Sequence, residues 1–266
     1  MVENPKMCLI LLSYWMHKKY PFILAANRDE FYERPSAPVS VWNDFPDVIA
    51  GKDLKSGGTW LGITKKGRLA AITNYRDPES FKEDSPSRGW VVRDFLCGRE
   101  DPHAYIEQIV AKQDRYNGFS MIMGDPSRLF SFSNRGYRQE LSPGMYGLSN
   151  RLLNTPWPKT ERGKNALESL LSQTDNPLPE DIFYILSDRS RPDDCELPDT
   201  GVGLEWERLL SSIFITGSIY GTRSSSVIMI DKRDRVMFIE KVFDGHPDPW
   251  MEVKFEFRIS ENLNQL

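Results

Sequence analysis

The sequence is poor in the residues that build disulfide or metal frameworks, with three cysteines and three histidines among 266 residues. Cys8, Cys97 and Cys195 are far apart and odd in number. Neither a CxxC pair nor a CxxCH haem-attachment motif occurs, which leaves no disulfide framework and no zinc ribbon. Unpaired thiols point to a reducing compartment. His17, His103 and His246 are scattered without metal-ligand spacing and read as surface residues. No apolar run approaches the roughly eighteen residues needed to cross a bilayer. The first one, from Met7, is interrupted by His17-Lys18-Lys19, and no small-residue cleavage site follows directly. It reads as a strand, and the protein is expected to be cytoplasmic and not an integral membrane protein. No GxGxxG or Walker-type phosphate loop is present, so neither nucleotide nor catalytic metal is expected. Internal repeats and low-complexity segments are also missing. A net charge of -4 gives no general attraction to nucleic acid.

What remains is an ordinary globular composition, 39% hydrophobic and 27% charged, long enough to bury a sizeable core. Residues 8–16 and 21–27 are apolar at nearly every position across a short polar turn, which predicts a hairpin covered on both faces. Residues 28–47, with prolines among many charges, read as an ordered loop. A second hairpin is expected over 57–64 and 67–74, where Gly57-Gly58 lets the backbone come close to a neighbour. Helices follow over 88–97 and 102–114, the latter with Asp101 as N-cap and Pro102 in the first turn. Strands are expected at 119–124 and 128–133 and a short strand or turn over 146–150, then helices at 160–172 and 179–187. Residues 188–203 read as a mobile surface loop, and strands close the chain at 213–220, 225–231, 235–243 and 250–258. Hairpins dominate and βαβ alternation is missing. The expected fold is therefore α+β, two mostly antiparallel sheets with helices outside, in one domain over 1–266.

Chemistry concentrates between Met7 and Asn74. Cys8 reads either as a small buried hydrophobe or as a nucleophile, which needs a base or a cation to form thiolate. Were Cys8 the first residue of the mature chain, its own α-amine, of pKa about 7.7–8.0, would be a suitable base. Asn27-Arg28-Asp29-Glu30 follows the strand expected to pair with that of Cys8. It reads as a solvated turn or as a lid over the thiol, with Arg28 lowering the thiol pKa and Asp29 orienting the amine. Asn74 and Asn150 read as turn residues or as amide donors to an oxyanion. Arg223 reads as a partner for a surface acid or as a second cation beside the thiol.

Met7-Cys8-Leu9-Ile10, Asn27-Arg28-Asp29-Glu30, Gly57-Gly58-Thr59-Trp60-Leu61-Gly62, Asn117-Gly118-Phe119, Gly147-Leu148-Ser149-Asn150, Thr155-Pro156-Trp157-Pro158 and Tyr220-Gly221-Thr222-Arg223 occur in this order. Together they resemble the NRDE family, also called the transport and Golgi organisation family, over nearly the whole chain. The resemblance implies an N-terminal-nucleophile hydrolase-like fold, a four-layer αββα sandwich. It implies Cys8 as the nucleophile, Arg28 and Asp29 as its charged neighbours, Asn74 and Asn150 as oxyanion and substrate-positioning amides, and Arg223 as a late arginine near the thiol. Cys8 has seven residues before it, so an amidase mechanism requires translation from Met7 or cleavage of the Met7–Cys8 bond. The family is also associated with haem trafficking. That implies haem as cargo and haem-accepting proteins as partners, with Cys8, Met7 and His246 as the ligands to test. The first reading is a haem carrier, the alternative is a cysteine amidohydrolase of non-peptide C–N bonds, and a third is a purely structural interaction module.

Overall fold

In the computed structural model, which describes residues 7–260, the chain folds into two antiparallel sheets clad by helices. The strands are β1 (Met7–Tyr14), β2 (Phe22–Phe31), β3 (Ser36–Trp42), β4 (Phe45–Asp53), β5 (Leu61–Thr64), β6 (Leu69–Asn74), β7 (Phe119–Asp125), β8 (Arg128–Ser133), β9 (Arg138–Glu140), β10 (Gly144–Leu148), β11 (Tyr220–Ile230), β12 (Arg235–Val242) and β13 (Met251–Arg258). The helices are α1 (Gly89–Cys97), α2 (Pro102–Val110), α3 (Pro158–Gln173), α4 (Pro179–Leu186) and α5 (Leu204–Leu210). The first sheet runs β10-β1-β2-β11-β12-β13 and the second β3-β4-β5-β6-β7-β8-β9.

Strand alternation decides the layering. Ile10, Leu12, Leu24 and Ala26 point inward and pack with Ile49, Leu61, Ile63 and Ile122 of the second sheet. Their neighbours Leu9, Leu11, Ile23 and Ala25 point outward, under Leu167 of α3 and Ile182 of α4. The outer face of the second sheet packs on Val92, Phe95, Ile106 and Ile109 of α1 and α2. The result is the expected four-layer αββα sandwich. It also explains why β1 and β2 carry no polar face: each row of side chains has its own apolar layer. No helix among the described residues is long and apolar enough to cross a membrane.

Several local expectations are corrected. β2 does not stop at Asn27 but runs through Arg28, Asp29 and Glu30 to Phe31, every residue buried. The expected loop over 28–47 contains β3 and the start of β4. Its prolines are tolerated because β3 is an edge strand whose register shifts between Ala37 and Ser40 around Pro38, and Pro46 is the second residue of β4. The expected strand at 213–220 is irregular chain with one isolated bridge, Thr216 to Gly221, and β11 starts only at Tyr220. Residues 188–203 are pinned: Thr200 donates from its backbone nitrogen to Glu207 Oε1 at 2.9 Å, and Arg76 Nη1 donates to its hydroxyl at 3.1 Å. His17 is buried rather than on the surface, its Nδ1 accepting from the Lys19 and Tyr20 amides at 3.2 Å. His103 and His246 are exposed.

Candidate functional site

The open end of β1 and β2 faces a cavity of about 270 Å³ between the sheets, whose wall includes the side chains of Cys8, Arg28, Glu30, Trp60 and Asn74. Cys8 and Arg28 are Cα partners in the β1–β2 ladder. Alternation therefore places both side chains on the inward row of Ile10 and Ala26, where that row runs out of apolar partners. Asp29 falls on the outward row with Ala25 and Asn27. Asn27 is tied to the helical side by hydrogen bonds from its Nδ2 to the carbonyls of Leu186 and Ile213, both 2.9 Å.

Arg28 is buried, with its guanidinium 4.4 Å from the Trp60 ring centroid and 3.8 Å from Glu30 Oε2. Glu30 also pairs with Arg34 at 3.4 Å, and Arg34 with Asp53 at 2.6 Å, so a chain of charges lines one wall. Asn150 joins the two sheets. Its Oδ1 accepts from the Cys8 backbone nitrogen at 3.3 Å, and its Nδ2 donates to the Asn74 carbonyl at 2.9 Å. It is fully buried and left-handed at φ 52°, a conformation asparagine adopts more readily than most residues. Asn150 thus holds the backbone nitrogen of Cys8 on one sheet and the carbonyl of Asn74 on the other.

The electrostatics are set by burial. Desolvation, reinforced by the Asp29 charge, pushes the Cys8 thiol up to about 12. The Asp29 backbone amide and the Arg28 cation oppose this and are outweighed. The resting group is therefore a thiol, not a thiolate. Burial also lifts the Asp29 carboxyl to about 6, against the opposing charge of Lys159, a 2.6 Å hydrogen bond from the Thr222 hydroxyl, and Arg28.

The site thus gathers Cys8, Arg28, Asp29, Asn74 and Asn150. Arg223 is placed differently: its Nη1 donates to the carbonyls of Phe31 and Tyr32 at 2.9 Å and of Arg34 at 3.1 Å, fastening the chain after β2. Two contributors escaped sequence reasoning. Trp60 was visible only as part of a motif, and nothing in the sequence says that its ring receives Arg28. Lys159, at the start of α3 and 2% exposed, lies near Asp29 and Cys8. A lysine directly after Pro158 on the apolar side of a helix was the available signal. Among the described residues no group of three or more His, Cys, Asp and Glu could hold a metal ion.

Two antiparallel sheets between helical layers, with Cys8 on the first strand opening into a polar cavity, define an α+β protein of the αββα sandwich class. The chain belongs to the Transport and Golgi organisation 2 family, whose model matches residues 7–245. It is 37% identical over 276 residues to the Transport and Golgi organization protein 2 homolog of Bos taurus, covering 95% of this chain and 99% of that protein. The Homo sapiens homolog is 34% identical with the same coverage. The Drosophila melanogaster Transport and Golgi organization protein 2 is 28% identical over 85% of this chain and 87% of its own length. Among solved structures, a mutant conjugated bile acid hydrolase from Clostridium perfringens superposes with a TM-score of 0.48 at 9% identity, covering 97% of this chain and 99% of that one. The Caenorhabditis elegans N-acylethanolamine-hydrolyzing acid amidase ortholog gives 0.44 at 10% identity, over 83% and 92%. Likeness of that degree says nothing of substrate.

Proposed function

We propose that the chain is a cysteine amidohydrolase acting on the C–N bond of a small, non-peptide amide, with Cys8 as nucleophile once it heads the chain. The observation that carries this reading is the double hold on Cys8: its backbone nitrogen on Asn150 Oδ1 at 3.3 Å, its side chain at the cavity with Arg28 and Asn74. A thiol whose ionisation is suppressed needs its base within reach at the moment of attack, and the α-amine of the same residue supplies one. Sγ bonds to the carbonyl carbon while the amine takes the thiol proton, and in this reading the Asn74 side-chain amide, from the cavity wall, donates to the oxyanion. The amine then protonates the departing nitrogen, the C–N bond breaks, and water hydrolyses the thioester to release the acid. The test joins intact mass of the mature chain to hydrolysis of a panel of N-acyl amides, with Cys8→Ala as control. Retention of Met7, or equal turnover by the alanine variant, overturns the reading.

A second reading keeps haem as cargo, passed on to haem-accepting proteins. Its support is the Trp60 ring lining the same cavity as the Cys8 thiol, an aromatic surface near a soft ligand. His246 is exposed and does not line this wall, and the side chain of Met7 lies outside the described residues. Titration with haem distinguishes the two: a saturable spectral shift lost in Cys8→Ala supports carriage, and a spectrum matching nonspecific, albumin-like binding rejects it. The free cysteines support a cytoplasmic, reducing setting for either reading.

A further inference from the structure

Behind the cavity, on the outward face of the first sheet, lies an amine without a hydrogen-bonding role. Lys159 is 2% exposed, and its Nζ has no hydrogen-bond partner among the described residues. Asp29 is 1% exposed; its Oδ1 accepts from Thr222, and its Oδ2 has no hydrogen-bond partner among them. Alternation sends Asp29 outward, and α3, which carries Lys159, packs over β1 on that same face. One turn along α3 from Lys159, Gly163 lies so close to Leu11 that a Cβ would meet Leu11 Cδ1 at 2.9 Å. Lys159 also borders a cavity of about 10 Å³ beside Arg76, Trp157 and Glu207, room for about one water. A buried ammonium and a buried carboxylate, each lacking a direct bond to the other, each help the other keep its charge, with Thr222 and Arg28 also favouring the carboxylate.

We propose that Lys159 is a positioning residue of the Cys8 site, acting through Asp29: its ammonium, behind the sheet, holds Asp29 as a carboxylate, and that carboxylate governs the thiol and amine of Cys8. Any use of the pair in turnover rests on the amidohydrolase reading; the pair itself does not. The charged groups acting on Lys159 are Asp29 from β2, Arg76 beyond β6, Cys8 from β1 and Arg162 from α3. Arg76 is compensated by Glu207 at 2.5 Å and Arg162 by Asp188 at 2.6 Å, which leaves Asp29 as the anion without a cation bonded to it. Burial lowers the Lys159 ammonium to about 8 and raises the Asp29 carboxyl to about 6, so near neutrality both are charged within a narrow margin. Loss of the cation lets Asp29 take up a proton.

This coupling gives a sign that a direct effect cannot. Removing a cation near a thiol ordinarily suppresses thiolate and slows alkylation. If Lys159 acts through Asp29, removing it also extinguishes the nearby anion, and Cys8 reacts faster. The full-length chain is treated with iodoacetamide at pH 7, and the rate at Cys8 is resolved from Cys97 and Cys195 by peptide mass. Lys159→Met and Asp29→Asn should each speed Cys8 alkylation by on the order of tenfold, and the double variant should add nothing to either. Lys159→Arg, which keeps the charge, should restore the wild-type rate. Slower alkylation in Lys159→Met, or additive effects in the double variant, would overturn the proposal. Thermal melting confirms that each variant is folded, and Asp29→Asn, which cannot ionise, serves as the reference if Lys159→Met does not fold. If the alkylation pattern holds while no N-acyl amide is hydrolysed, the pair stands and the amidohydrolase reading falls.

Discussion

Cys8 and Arg28 are direct Cα partners across β1 and β2, the thiol and guanidinium emerging on the same inward face. The arginine's charge draws the thiol downward against burial. Arg28→Met should therefore slow alkylation of Cys8 roughly tenfold at pH 8. Arg28→Lys should recover part of the rate, keeping charge but losing the planar contact with Trp60. Peptide-resolved alkylation kinetics measure both.

Asn150 links the Cys8 nitrogen to the Asn74 carbonyl. Asn150→Gly keeps the left-handed backbone while deleting both bonds. It should cost about 1–3 kcal/mol, as expected for buried groups left unpaired. Asn150→Ala should cost about 1 kcal/mol more, because alanine is strained at φ 52°. Urea denaturation of the two variants separates the terms.

The motif around Gly57-Gly58 was legible in advance, since paired glycines predict a close backbone approach, and Thr59 does donate to the Gly89 carbonyl at 3.2 Å. The sequence could not say that the approached element is the start of α1. A Cβ at Gly58 would lie 2.5 Å from the Gly89 carbonyl carbon, so Gly58→Ala must push α1 away from the cavity it borders. The expected loss is about 1–3 kcal/mol, read in the denaturation midpoint.

Arg76 and Glu207 form a buried ion pair at 2.5 Å, both side chains 4% exposed. Glu207→Gln takes the carboxylate away from a buried guanidinium and should cost about 3–5 kcal/mol. Arg76→Met with Glu207→Leu should cost less than either single change. A double-mutant cycle by chemical denaturation checks this.

Burial raises the Asp29 carboxyl from 3.8 to about 6, which fixes a sign for stability. A carboxyl raised in the folded state contributes stability that is fully present below its unfolded value and is lost as pH rises through about 6. Thermal midpoints should fall as pH rises across that window. Asp29→Asn, which cannot take up a proton, should flatten this part of the curve.

The layers, most hairpins and the capped start of α2 were readable because they follow from periodicity and local chemistry; Asp101 does cap, accepting from the His103 and Ala104 amides. The extent of β2 was not. Asn27-Arg28-Asp29-Glu30 looks like a turn because four polar residues are a poor strand in isolation. They are held there by tertiary pairing: β11 registers against them through Thr222 and Ser224, with a bulge between. Lys159 was hidden for the same reason, since its importance comes from a carboxylate 130 positions away in sequence (159 − 29). Arg223 has charge but no local sign of direction, and its anchoring of the Phe31, Tyr32 and Arg34 carbonyls follows from where β11 lies.

Because the tetrapeptide sits within a central strand, its members answer to two compartments in strict alternation. Deleting a single residue from the first half of β2 would exchange them. The carboxylate would swing into the chamber and the guanidinium would be driven under α3, with every atom of the motif still present. Spelling alone does not specify this centre; parity does, and a chain that kept the four letters but lost one step ahead of them would carry its chemistry inside out.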